Sequence, residues 1–518
     1  MAVGGADMAR NVTEVLRVRG WLRAASPVHI GGVGGGVDAD MELAEDGHGR
    51  WYVPGTSLAG AFREWTERWT GEAAVAASLW GSRDAASRIV VEDGLVECPA
   101  RAAPEIRDGV GIDRRSGTAA PGIRHTRAVL PRGSRIALEM AVEFLGGGAE
   151  RRDAERRCLG QMLTDLRAGR IALGAAVTRG LGRVVLEEVC IRATRRNTRA
   201  GLLAELRGTD PPLRVEELLG GPEGDGEATA RSPVARSVTL RVHWRPAGPV
   251  MVAAGRAGLA VDTLPLTTTA ADGCSIAFVL PGSALKGALR AQAERIVRTV
   301  LGRDAPRAGQ DDDPHRHFVN QVRVPLVDAV FGSPERRGVL AVEDCLSRTA
   351  MAAEHWAAVE AAGEAHGLRQ ALAACGLPGA DAVTHAAIDR WTGGAADRLL
   401  FNVLEVPGLE WSPLTLHADL TRLPPDTPPK ACVALLLLVL GDLRLGRFPL
   451  GGQGYRGMGG VSLDRVECAT AGLDPLPGSF ALGGGDASPW LPDDIAAALL
   501  PEWGEWTRHQ RSAVGVSG

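Results

Sequence analysis

Leu280–Gly287 reads LPGSALKG, and Val53–Gly60 reads VPGTSLAG. Each is an apolar residue, a Pro-Gly turn and a hydroxyl residue (Ser283 or Thr56) near the start of a helix, a pattern that predicts a strand turning directly into a helix. Extended to ten residues, PGTSLAGAFR (Pro54–Arg63) and PGSALKGALR (Pro281–Arg290) share six, at an offset of 227. Three more pairs follow in the same order. LWGS (Leu79–Ser82) matches VFGS (Val330–Ser333) at 251, and IDRRSGTAA (Ile112–Ala120) matches IDRWTGGAA (Ile388–Ala396) at 276. LGAAVTRGLGRV (Leu173–Val184) matches LGGQGYRGMGGV (Leu450–Val461) at 277. The offsets only grow. One duplication with two insertions in the second copy, near 297–329 and 346–384, explains them.

Each copy opens with an alternating strand, EVLRVRGWLRA (Glu14–Ala24) or SVTLRVHWRP (Ser237–Pro246). The helix after the Pro-Gly turn is followed by a strand ending in Glu-Asp, the IDR loop, a further strand, a second helix and a last strand after a glycine-rich turn. That order, strand-helix-strands-helix-strand, predicts an α+β fold of two tandem ferredoxin-like domains with an elaborated middle. The expected boundaries are 1–199 and 237–468 for the two domains. Residues 200–236, rich in Gly, Pro, Glu and Arg, read as a linker, and 469–518 as an irregular tail with a short Trp-bearing helix.

Composition bounds the function. With 518 residues, 45% hydrophobic and 23% charged, the chain is an ordinary globular protein of more than one domain. ACVALLLLVL (Ala431–Leu440) is too short to span a bilayer and predicts a buried helix. The first residues show no signal-peptide pattern, so a cytoplasmic location is expected. Eight cysteines without a CxxC pair indicate neither a disulfide framework nor a zinc knuckle. The net charge of −4 excludes a uniformly basic coat, but residues 101–135 hold eight arginines against three acids. Arginine's planar fork suits phosphate wherever it clusters.

Together the PGSxLKG-type turn, the FGS turn, the IDRxTGxA loop and the GxxxxRGxGxV loop resemble the CRISPR-associated RAMP superfamily. More narrowly they resemble its Cas-seven group, the backbone subunits of type III effector complexes. The fused pair is similar to the two-unit fusions of type III-D-like systems. The resemblance implies RRM-like domains with thumb-like insertions, a CRISPR guide RNA held along its phosphates, and a target single-stranded RNA paired to that guide. It also implies, as partners, other backbone RAMP subunits and the large polymerase-like type III subunit, and no membrane.

Helix N-termini and glycine-edged loops suit phosphate binding. The expected RNA contacts are therefore Ser57, Arg63, Arg179, Ser283, Lys286, Arg290 and Arg456, with Arg114, Arg115 and Arg390 at the base of the thumb. The first copy has Ala59 where the second has Lys286, which leaves Arg63 as its alternative contact. Cleaving members carry an aspartate in the loop after the first strand. Here AAGRAGLAVDTLPL (Ala253–Leu266) offers Asp262, and HIGGVGGGVDADMELAED (His29–Asp46) offers Asp38 and Asp40. Asp40 has the better spacing to Asp46 and Pro54, whereas Asp38 follows the glycine run directly. A divalent metal, Mg2+ or Mn2+, held by Asp262 and Asp40 would assist attack by the RNA's own 2′-hydroxyl. The alternatives are a non-catalytic scaffold and a guide-processing endoribonuclease with a histidine-centred site, for which His29 and His125 are the loop histidines available. DDDPHRH (Asp311–His317) lacks fixed ligand spacing and reads as a solvated loop.

Overall fold

The computed structural model describes residues 11–32, 39–71, 73–99, 102–146, 148–220, 236–307, 313–483 and 490–515. Both halves build the same antiparallel sheet. In the first, Val12–Ala24 lies between Arg135–Leu145 and Val184–Arg195, with Ile89–Val91 and Gly94–Glu97 pairing outside Arg135–Leu145. In the second, Ser237–Pro246 lies between Leu414–Asp419 and Val461–Ala471, with Leu340–Val342 outside Leu414–Asp419. The spatial order is the ferredoxin-like one in each half. The central strands even bulge at matching places, between Arg19 and Trp21 and between His243 and Trp244.

Period-two patterning accounts for the strands. Along Ser237–Pro246 every second residue, Val238, Leu240, Val242 and Trp244, is buried. Two helices cover one face of each sheet: Gly55–Thr70 and Ala149–Arg167 in the first half, Gly282–Leu301 and Pro429–Arg444 in the second. The Pro429–Arg444 helix is buried almost all round, as its run of leucines requires. No helix among the described residues is long and apolar enough to cross a membrane.

Two boundary expectations and one loop reading need correction. Residues 199–218 are folded onto the first unit: Arg199–Arg207 is a helix, Pro212–Leu213 pairs with Val184–Arg195, and Val215–Leu218 buries Val215 and Leu218 against the Ala149–Arg167 helix. Of the expected linker, 221–235 lies outside the described residues. The tail is also structural. Ser479–Leu482 extends the second sheet, and the helix Asp493–Gly515 packs on Pro429–Arg444 and Gly282–Leu301. In the DDDPHRH stretch, Asp313 accepts from Arg316 N at 2.8 Å and caps the helix Pro314–Val322.

The Pro-Gly turns explain themselves once the sheets are in view. A Cβ on Gly55 would lie 2.1 Å from the Val91 carbonyl oxygen, and one on Gly282 would lie 2.2 Å from that of Val342. Only glycine lets the helix start this close to its neighbouring strand. The first helical N–H is then taken by a carboxylate: Gly55 N donates to Asp93 at 2.7 Å and Gly282 N to Asp344 at 2.8 Å. Asp93 and Asp344 are the aspartates of the two Glu-Asp strand ends, 251 residues apart. The Glu-Asp motif is thus a helix cap in both copies.

Candidate nucleic-acid interface

Each unit projects a two-stranded hairpin. The first hairpin is Glu105–Ile112 with Ala119–Val129, and the second is Asp381–Ile388 with Ala395–Glu405. Both bulge one residue before the IDR turn. The turns match bond for bond: Asp113 N donates to Thr118 O and Gly117 N to Asp113 O, as Asp389 N does to Gly394 O and Gly393 N to Asp389 O. Asp113 and Asp389 each accept backbone N–H groups of their own turn. These bonds and the Gln321 amide hold the Asp113 carboxyl down at about 2.

The acidic loops meet the hairpins at their roots. Asp40 Oδ2 accepts from Thr126 N at 2.7 Å and Thr126 Oγ1 at 3.0 Å, while Met41 bridges Arg127 in parallel. Asp262 Oδ2 accepts from Asn402 N at 2.7 Å, while Thr263 bridges Val403 in parallel. Thr126 and Asn402 are 276 residues apart, the offset of the IDR loops. Asp40, not Asp38, is therefore the geometric counterpart of Asp262, and Asp38 lies outside the described residues. Both carboxylates are exposed, with Oδ2 fixed and Oδ1 bound to no described donor. The Thr126 hydrogen bonds hold the Asp40 carboxyl below its ordinary range. A single carboxylate suits Mg2+ only jointly with phosphate oxygens and water. No group of three His, Cys, Asp or Glu converges anywhere among the described residues.

The surroundings of the two roots differ. His125 and Arg179 flank the first, and burial with Arg127 and Arg179 nearby holds His125 below its ordinary value. At the second root, 276 residues on, Phe401 replaces His125. Its ring stacks on His385 at 5.5 Å and lies 4.5 Å below the Arg456 guanidinium. His29 is buried, with Nδ1 2.7 Å from Ala128 O, and is no loop contact.

Between the units runs a cleft of about 640 Å³. Its walls are the glycine-edged loop Gly174–Arg179 and Arg127 from the first unit, and Arg290 and the FGS loop Phe331–Gly338 from the second. Five arginines line it, Arg127, Arg179, Arg290, Arg336 and Arg337, and one acid, Glu335, which pairs with Arg323. Arg290 is paired behind the wall with Glu294 and Asp328, and Arg337 with Glu64, which leaves Arg127, Arg179 and Arg336 without a carboxylate partner among the described residues. This concentrates positive charge where low-dielectric walls focus it, the electrostatics of a phosphate track.

Several expected contacts turn out to have structural duties. Lys286 is 6% exposed, and its Nζ donates to Leu340 O at 2.6 Å. It sits behind the cleft wall rather than on it. Burial, then Arg179, Arg290 and Arg337, pushes its ammonium down to about 7. Arg290 donates to Glu294, Gly332 O, Val322 O and Asp328, tying the FGS loop to the helix. Arg114, Arg115 and Arg390 lie in the closing turns at the tips of the hairpins, not at the base as expected. Arg114 reaches Glu294 at 2.5 Å and Arg115 reaches Ala305 O at 3.0 Å, so both anchor the first hairpin on the second unit. Asp113 and Arg114 are neighbours in the turn but take different partners, Gln321 and Glu294. Arg63 pairs with Glu67 at 2.9 Å. Ser57 is half-buried in the first helical turn, while Ser283, Arg179, Arg390 and Arg456 are exposed. Sequence reasoning missed Arg127, Arg336 and Arg337, which surround the same cleft from positions outside the repeated motifs.

The RAMP superfamily model matches residues 21–185 and 270–462, once on each unit. The chain belongs to the RAMP superfamily. No curated protein matches it. Membership makes it a CRISPR-associated RAMP protein of an RNA-binding class, whose members bind CRISPR RNA and other Cas subunits. Each match falls within one of the two ferredoxin-like units, so this RAMP protein carries the family's fold twice.

Proposed function

We propose that this RAMP protein is a guide-RNA-binding backbone subunit of a type III effector complex, of the Cas-seven group and type III-D-like, that cuts guide-paired target RNA at two places. The observation that carries the reading is the repeated root geometry: Asp40 and Asp262, in equivalent loops, each fixed by a backbone N–H of the hairpin's return strand. The arginine-walled cleft binds guide phosphates without reading bases, which leaves specificity to pairing with the target.

The chain's own residues do the positioning. Oδ2 of each aspartate is locked to the hairpin, so Oδ1 points from a fixed base toward a strand crossing the root. Asp40 and Asp262 would hold a divalent ion, Mg2+ or Mn2+, which would supply positive charge against the charge developing on the scissile phosphate. The 2′-hydroxyl attacks the adjacent phosphorus, the 5′-oxygen leaves, and a 2′,3′-cyclic phosphate and a 5′-hydroxyl result. Arg179 and Arg456 stand beside the two roots to hold flanking phosphates. The subunit's neighbours in this reading are further RAMP subunits and the large polymerase-like subunit.

The test is the complex assembled with guide and labelled target RNA. D40A and D262A should each remove one cut and leave target binding intact, and EDTA should remove both. Cuts that persist in both variants, or in EDTA, would point to the histidine-centred alternative. One observation favours a second reading as a scaffold without nuclease activity: no group of three His, Cys, Asp or Glu converges at either root among the described residues. In that case no cut appears and guide binding is unchanged.

A further inference from the structure

The insertion between Cys345–Met351 and the second hairpin has no counterpart in the first unit, and it touches the loop that carries Asp262. In the first unit, residues 98–104 join Gly94–Glu97 to the hairpin with no helix among the described residues. In the second, residues 352–380 hold two helices, Ala353–Ala361 and Ala365–Ala374. Trp356, Val359, Leu368 and Leu372 seat them in the second core, with Trp356 edge-on to Phe278 at 5.3 Å. The insertion is therefore a rigid part of the unit, not a surface decoration.

The Asp262 loop meets it at one turn. Leu259 N donates to Glu360 O at 3.0 Å, and the Arg256 guanidinium donates to the Glu360 carboxylate at 2.6 Å. Gly258 keeps the approach close, because a Cβ there would lie 3.1 Å from Glu360 O. Gly258 N then donates to Val261 O at 2.8 Å, in the peptide that leads into Asp262. Asp262 Oδ2 in turn accepts from Asn402 N. A continuous path of hydrogen bonds thus runs from the helix to the carboxylate. Burial holds Val261 and Leu264 on either side of Asp262, whereas Arg256, Ala257 and Leu259 are exposed. That turn is tied down by its bonds to the helix.

We propose that the helix Ala353–Ala361 is a positioning element for the second site, with Arg256 and Glu360 as its grip. The pair fixes the turn at Leu259 and, through Val261, the direction of the Asp262 carboxylate. Such support acts on rate more than on affinity, because a reacting group must be held within a fraction of an ångström. The inference rests on the reading that Asp262 takes part in cleavage. It concerns the second unit alone, so the first cut is the reference within the same molecule.

Two measurements test it, one of them without RNA. In the free chain, hydrogen exchange across residues 256–262 should quicken about threefold to tenfold in R256A and in E360A, the level at which an exposed ion pair acts. In the guide-loaded complex with saturating labelled target, both variants should slow the cut lost in D262A by a similar factor. The cut lost in D40A and the affinity for target should not change. The exchanged pair R256E/E360R should regain most of the rate, and R256A/E360A should be no slower than either single variant. The Arg256 side chain is 61% exposed, so R256A probes the same grip without altering the helix if E360A lowers the melting temperature. Unchanged exchange in both variants overturns the inference. So does an unchanged second cut, or equal slowing of both cuts, and the Asp262 reading survives each of these. A second cut absent from the unaltered chain overturns that reading, and this inference with it.

Discussion

The two hairpins share a sequence motif, a bulge and a turn, yet one is half-buried at its tip and the other projects into solvent. The difference does not come from the hairpins. It comes from what lies next to them: the first has a second unit to rest on, with Glu294 and Gln321 in place, and the second has no described neighbour. Identical local structure therefore has unequal energetic weight.

The largest expected effect separates the hairpins directly. R114E places a second carboxylate against Glu294, which is nearly fully buried, and should cost about 3–5 kcal/mol, read as a lowered denaturation midpoint. R390E alters an exposed, unpaired side chain and should stay within about 0.5 kcal/mol. Equal costs would break the comparison.

Next comes Lys286 against its first-copy counterpart Ala59. The folded lysine titrates near 7 instead of 10.5, so the unfolded chain binds more protons between those values. Stability should rise with pH across that window, by up to about 1.4 kcal/mol per pH unit. K286M should abolish this rise, and a slope that persists in K286M would assign it to another group. The smallest effect concerns the loops: R179A, in the cleft, should reduce the salt dependence of guide binding by about one unit of slope, and R456A should do the same at the second root. A loss in one and not the other would show that RNA follows only one of the two loops.

Much of this was legible in the sequence. The ordered offsets placed two copies of one strand-helix plan, and the alternating strands and the leucine-rich helix fell where period and length put them. The IDR turns could be placed from motif position, and the Asp262 loop from the family resemblance. The choice between Asp38 and Asp40 was not, because it depends on which carboxylate meets Thr126, a residue 86 positions from Asp40. Lys286 carried a readable warning: it lies beside Leu285 and three residues before Leu289, inside the apolar stripe of its helix, where a side chain is buried whatever its charge. The Glu-Asp motif looked like a strand ending because its cap partner, the Pro-Gly turn, is distant in sequence. Gly- and Pro-rich composition made 200–220 and 469–483 look irregular, although tertiary packing folds both. Arg127, Arg336 and Arg337 belong to no repeated motif, and only the meeting of two units brings them together.

The most direct test of the account is to map cuts on a labelled target RNA within the guide-loaded complex, comparing the unaltered chain with D40N and D262N. The account predicts two cuts for the unaltered chain and the loss of a different one in each variant, with binding retained. A single cut lost in neither variant, or both cuts lost together in either one, would contradict the claim that the duplicated units carry two independent and equivalent sites.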